Sequence, residues 1–280
     1  MGSAVIYATY IKNDKGLKIA KEILDTIQTN MSDAHIIVGV NPTKHKAHDE
    51  WLKFLESNDV EYEITPDELV IITDASAYQS ALRLFNRVRR DEYDAVWFMH
   101  TKGGAKQEHK RLHQREKFCK LLFVNNEPLM ELLQIPSVGI VGHSLSMCAL
   151  RSSGTTGTKT MKEINEKLDK YLTGASFYRY NLHTMFGCSW TALNSFLNAV
   201  HSSFFNTNLI RGGFFEVLFT ALVSRAGYAP LSLDFGIRLG RNNDYKKVKL
   251  HQLYIDELKL WAEESHVDIS HILKHMEKSK

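Results

Sequence analysis

Short, nearly continuous apolar runs alternate with amphipathic segments through the first hundred residues, and no other feature restricts the fold of this chain so sharply. Ala4–Thr9, His35–Val40, Leu69–Ile72 and Ala95–Met99 have the length and apolar character of buried strands. Asn13–Asn30 instead places Leu17, Ala20, Ile23, Leu24 and Ile27 at i, i+3, i+4 spacing, which gives a helix one apolar face. Ala47–Ser57 and Ala77–Arg90 read as two further helices, the second presenting Leu82, Leu84, Phe85 and Val88. Strands that lack polar alternation are covered on both faces. The expected class is therefore α/β, with a mostly parallel sheet flanked by helices. Ligands of such sheets sit beyond the carboxyl ends of the strands. That rule selects Thr9, Tyr10, Asp74 and His100–Lys102 as the positions to inspect.

The second half is less regular. Glu108–Val124 reads as a basic helix and Ser137–Gly142 as a fifth strand. The aromatic stretch Tyr178–Trp190 reads as strand, with helices expected over Thr191–Ser202 and Phe214–Ala226. Arg151–Lys159 holds two glycines and five hydroxyl residues in nine positions, the composition of a flexible lid or a surface loop. The tail from Tyr254 to Lys280 is amphipathic, charged and helical in pattern. The expected organisation is one domain over residues 1–230, divided near residue 104, with residues 231–280 as a helical extension packed on it.

Composition removes several classes. Hydrophobic residues at 44% and charged residues at 24% belong to a globular chain, not a disordered one. Cys119, Cys148 and Cys188 have neither zinc-ligand spacing nor the even count of a disulfide framework. A net charge of +3 falls short of a nucleic-acid binder, so no nucleic-acid partner is expected. Positive charge is still gathered at Arg87–Arg90 and from Lys102 to Lys120, which suits a single phosphorylated small molecule. The first ten residues lack the pattern of a signal peptide, and no stretch of about 18 apolar residues predicts a membrane span. A soluble cytoplasmic protein is the expectation.

The most informative stretch is Tyr93–Gly104, YDAVWFMHTKGG. A buried strand ends in His100-Thr101-Lys102, where Lys102 can neutralise a diphosphate and Gly103 permits close backbone approach. The competing reading is an exposed polar turn. Lys106, Lys110, Arg111 and Arg115 follow, either as a solvated helix face or as support for phosphate. His109 and His113 have i, i+4 spacing but lack the Glu of a zinc-protease motif. Neither a Walker loop near Gly154 and Gly157 nor a glycine-rich dinucleotide fingerprint after the first strand is present.

The sequence from Asp94 through the apolar strand to His-Thr-Lys resembles the signature of polysaccharide glycosyltransferases related to rhamnan synthesis protein F, found in bacteria and large viruses. Four more segments resemble that family in order: Thr73-Asp74-Ala75, Val138–Gly142, His183-Thr184-Met185-Phe186, and Gly213–Glu216 opening a helix that ends near Gly227-Tyr228. The likeness covers roughly residues 4–230.

The resemblance implies a GT-A-like, Rossmann-type fold that moves a sugar from a nucleoside diphosphate donor to a glycan hydroxyl. It places the nucleotide sugar in the half up to residue 104 and the acceptor and base in residues 105–230. Thr9 and Tyr10 would line the base pocket and Asp74 would hold the ribose or base, while His100, Thr101, Lys102 and Gly103 would clamp the diphosphate. His183 and Thr184 would touch acceptor or diphosphate. Glu216 is the expected catalytic base for an inverting transfer, with Asp234 as second candidate. Each has a structural alternative: helix capping for Asp74, core packing for Tyr10 and His183, a dipole-favoured carboxylate for Glu216. UDP- or dTDP-linked sugars, including UDP-xylose and a rhamnose donor, are the expected donors. The chain departs from common practice in having no Asp-x-Asp motif to hold Mn²⁺ or Mg²⁺, which leaves metal dependence open. That departure also leaves two alternatives, a non-catalytic carbohydrate-binding or assembly protein on the same fold, and a nucleotidyltransferase.

Overall fold

The computed structural model describes residues 2–67, 74–90, 92–101, 115–143, 147–149, 154–177, 179–181, 184–199, 214–235, 248–249 and 252–278. These are arranged as α/β, with helices on a mostly parallel sheet. They divide into two compact units, one up to Asn126 and the other from Glu127 onward.

Strands β1 (Ala4–Tyr10), β2 (His35–Asn41), β3 (Glu61–Ile64) and β4 (Val96–His100) give the first unit its sheet. Their spatial order is β3-β2-β1-β4, and every pairing is parallel. Ala4 lies opposite His35 and Val96, and Ala8 opposite Gly39 and His100, so the central strands run in register along their shared length. Ala4–Ala8 and Val96–Met99 are fully buried, as their unbroken apolar runs require.

One face is covered by α1 (Asp14–Asn30) and α2 (Lys46–Ser57). The Asn13 side chain caps α1 by accepting the Gly16 amide at 2.8 Å, and His45 caps α2 by accepting the Ala47 amide at 3.2 Å. Leu17, Ala20, Ile23, Leu24 and Ile27 are all buried, so the predicted stripe is the face that packs. Helix α3 (Asp74–Val88) covers the other face. It approaches so closely that a Cβ on Gly39 would stand 1.7 Å from the Ala77 carbonyl oxygen. Only glycine leaves room there. Helix α4, described from residue 115, ends in a π-helical turn, Lys120–Val124.

The predicted strand Leu69–Ile72 lies outside the described residues, and the third strand of this sheet is Glu61–Ile64. Its sequence EYEI has no apolar run; among the described residues it stands at the edge of the sheet beside β2, partly open to solvent. Glu63 is held from α3 by the Arg83 guanidinium at 2.9 Å and by Arg87. Arg87, more than half exposed, thus ties the end of α3 to this edge strand.

In the second unit, β5 (Val138–His143) pairs in parallel with β9 (Ala229–Phe235) and antiparallel with β8 (Phe186–Cys188). β10 (Val248–Lys249) runs antiparallel to β9, and β6 (Met147–Ala149) with β7 (Arg179–Asn181) forms a separate ribbon. The helices are α5 (Glu127–Leu133), α6 (Gly154–Leu168), α7 (Trp190–Ala199), α8 (Phe214–Arg225), α9 (Gln252–Ser265) and α10 (Ser270–Lys278). The tail is two helices separated by residues that include His266 at φ 55. Trp261 is fully buried and donates to the Ala175 carbonyl at 3.0 Å, which fixes α9 to the core of its unit.

Residues 154–159 are helical, which corrects the expectation of a flexible lid or loop across Arg151–Lys159. Residues 151–153 lie outside the described residues. The two glycines are tolerated because the downstream turns are strong helix formers, with Lys162–Glu166 and Glu163–Lys167 pairs at i, i+4. Among the described residues no helix is long and apolar enough to cross a membrane.

Candidate functional site

The carboxyl edge of the first sheet collects an unusual amount of buried polarity. Thr9 and Asn41 close β1 and β2, Thr65 follows β3, and His100 with Thr101 ends β4; all five are buried. Ser76 and Ser80, in the first two turns of α3, are buried beside Thr65. Enclosed hydroxyls and amides must find partners or they cost stability. Those partners define the site's framework.

Thr9 is locked from two sides. Its hydroxyl donates to the Gly39 carbonyl at 3.0 Å and accepts the Trp51 indole N–H at 3.1 Å. Helix α2 is thereby joined to β1 and β2 at the edge where a ligand would lie. Trp51 also meets Tyr7 edge-on, ring centres 6.3 Å apart. On the neighbouring strand, the Thr65 and Ser80 hydroxyls are 2.8 Å apart, and each lies 3.2 Å from the Ser76 carbonyl. These contacts hold the first turns of α3 against the strand ends.

β4 ends at His100, and Thr101 follows it. The Thr101 amide donates to the Ala8 carbonyl at 3.1 Å. The Tyr10 amide donates to the Thr101 hydroxyl at 3.1 Å, a side-chain bond between β1 and the end of β4. His100 faces α3, its ring 6.1 Å from that of Tyr78 in an edge-on contact. The half-buried Tyr10 ring carries the Lys12 ammonium 4.5 Å from its centre, a cation–π contact.

Four expected site residues are therefore brought to one place: Thr9, Tyr10, His100 and Thr101. Thr9 is a buried framework residue, and its hydroxyl is already engaged. The backbone of Asp74 opens α3 at the same edge, while its side chain lies outside the described residues. Lys102, Gly103 and His183 lie outside them altogether. Thr184 belongs to the second unit, directly before β8, and is buried with φ 47, a left-handed conformation costly for a β-branched residue. Glu216 and Asp234 are placed by backbone only, in the first turn of α8 and in β9. Lys106, Lys110, Arg111, His109 and His113 also lie outside the described residues. Arg115 is buried and paired with Glu22 of α1 at 3.6 Å, which corrects the reading of a solvated helix face at this position.

No protein-family model matches the chain, and no curated protein matches it. The site must therefore be read from its own chemistry.

Sequence reading missed Asn41, Thr65, Ser76 and Ser80. Asn41 was legible as the residue that follows an apolar run and precedes Pro42, a strand terminus by both signals. Thr65 was hidden because β3 carries no apolar run. Thr9, Tyr10, His100 and Thr101 include no carboxylate, the ligand that Mg²⁺ and Mn²⁺ favour. Among the described residues no group of three or more His, Cys, Asp or Glu converges as a metal site. The side chains of Asp74, Glu216 and Asp234, the carboxylates expected near the site, lie outside the described residues.

Proposed function

We infer that the chain is a glycosyltransferase that takes a nucleoside diphosphate sugar at the carboxyl edge of β1, β2 and β4 and passes the sugar to a glycan hydroxyl. The observation that carries this reading is the bond from the Tyr10 amide to the Thr101 hydroxyl at the carboxyl edge of β1 and β4, the edge where parallel sheets take ligands and where the sequence continues into Lys102-Gly103-Gly104. The motif resemblance supports the same reaction class. In this account the Lys102 ammonium and the backbone around Gly103 neutralise the leaving diphosphate, where charge develops in the transition state. Tyr10 offers its ring to the nucleobase, and its Lys12 contact adds positive charge nearby. Glu216 deprotonates the acceptor hydroxyl as it attacks, with Asp234 as the alternative base, and the anomeric centre inverts. UDP- and dTDP-linked sugars are the donors to try first. A GT-A-like arrangement and action in the cytoplasm belong to the same proposal. Calorimetric titration with UDP and dTDP tests it: one nucleotide should bind, and binding should weaken in Lys102→Ala. Failure of every nucleoside diphosphate to bind would refute it.

A further inference from the structure

At the amino edge of the same sheet lies a cleft of about 360 Å³, bounded by the end of α1, the turn between α2 and β3, and the starts of β2 and β3. Its volume is at the lower end of the roughly 300–1,000 Å³ typical of small-ligand sites. His35 stands in its wall and is fixed from both ring nitrogens. Nδ1 is 2.7 Å from the Tyr93 hydroxyl and Nε2 is 3.3 Å from Glu61 Oε1. The Arg90 amide donates to the same Tyr93 oxygen at 2.8 Å. A carboxylate only accepts, so the Nε2–H is directed to Glu61, and in the neutral ring Nδ1 then accepts the Tyr93 hydroxyl proton. The imidazole, the carboxylate and the phenol are thus held in one orientation across the starts of three strands.

The lining decides the ligand class. Asp59, Glu61 and Arg90 all line this one small cleft, so an anion meets carboxylates there and a cation meets a guanidinium. A neutral ligand whose hydroxyls both donate and accept satisfies all three, together with the Asn58 amide. Met31 and Ile36 supply apolar surface for a C–H face. We propose that this cleft is a carbohydrate-binding subsite that holds one sugar ring, at the end of the sheet opposite the transfer site. It does not depend on the transfer reaction, and a glycan could be anchored here whether or not the chain turns over a donor.

Asp59 gives a clean test. It stands at φ 52, where glycine is at ease, so Asp59→Gly removes the carboxylate without straining the turn. Amide shift mapping with methyl glycosides of L-rhamnose, D-glucose and D-xylose should give saturable shifts at Asp59, Glu61 and Arg90 with at least one of them. Affinity should fall by at least tenfold in Asp59→Gly, and Glu61→Gln should weaken it while keeping the His35 contact. Donor hydrolysis by Asp59→Gly should match the parent protein, which separates this subsite from the transfer site. The proposal is overturned if no glycoside gives saturable shifts, if Asp59→Gly binds unchanged, or if inorganic phosphate or ethylammonium shifts these amides and the glycosides do not.

Discussion

The Tyr10 amide donates to the Thr101 hydroxyl at 3.1 Å, joining β1 to the end of β4 at the edge proposed to bind the donor. Thr101→Val keeps the shape and removes the acceptor, leaving the Tyr10 N–H without its partner. The expected loss is about 1–3 kcal/mol. Urea denaturation measures it, and UDP affinity should fall in the same variant because the proposed donor edge loses this bond.

Trp51→Phe removes the indole donor to Thr9 and leaves the Thr9–Gly39 bond in place. Stability should fall by roughly 1–3 kcal/mol, from the lost bond and the smaller ring. Thr9→Val removes both bonds. Thermal unfolding should rank the wild type above Trp51→Phe, and Trp51→Phe above Thr9→Val.

Much of the first sheet was readable because apolar runs and helical stripes are strong signals when both strand faces are covered. Leu17, Ala20, Ile23, Leu24 and Ile27 read directly as the buried face of α1. Strand β3 was not readable, since Glu61 and Glu63 are charged and the strand is held at an edge by Arg83 and Arg87, which are distant in sequence. The α6 start was missed because Gly154 and Gly157 outweigh their neighbours locally, whereas the helix is decided by the turns that follow. At the site, strand ends pointed to Thr9, Tyr10, His100 and Thr101. Thr65, Ser76 and Ser80 become visible only when α3 is laid across β2, a contact permitted by Gly39 and carrying no signal of its own in sequence.

Gly39→Ala tests that contact. The added methyl would stand 1.7 Å from the Ala77 carbonyl oxygen, so α3 must move outward. Overpacking of this kind costs roughly 1–3 kcal/mol or more. Denaturation should show the loss, and the Thr65–Ser80 contact should break, seen as faster hydrogen exchange in the first turns of α3.

His48 sets a pH dependence. Burial pushes its imidazole below the ordinary value of 6.5, and Asp49 opposes that shift more weakly. The unfolded chain therefore takes up a proton near pH 6.5 that the folded chain refuses until lower pH. Stability from this group is complete above 6.5 and falls as pH drops below it. Denaturation midpoints measured downward from pH 7 should show that slope, and His48→Gln should flatten it.

Thr184 at φ 47 predicts a separation of stability from activity. Thr184→Gly relieves the backbone and should leave stability unchanged or raise it by about 1 kcal/mol. Donor turnover should nevertheless fall if the threonine side chain serves acceptor or diphosphate. Equal turnover in Thr184→Gly would remove it from the site.

The most direct test is donor turnover. The parent protein, Lys102→Ala and Glu216→Gln should each be incubated with UDP- and dTDP-linked sugars, with and without Mn²⁺, and release of nucleoside diphosphate followed. The account predicts that the parent hydrolyses one donor slowly, that Lys102→Ala binds that donor about tenfold or more weakly, a loss on the scale of one charge-assisted hydrogen bond, and that Glu216→Gln binds it normally with turnover lost. A parent protein that neither binds nor cleaves any of these donors would contradict it.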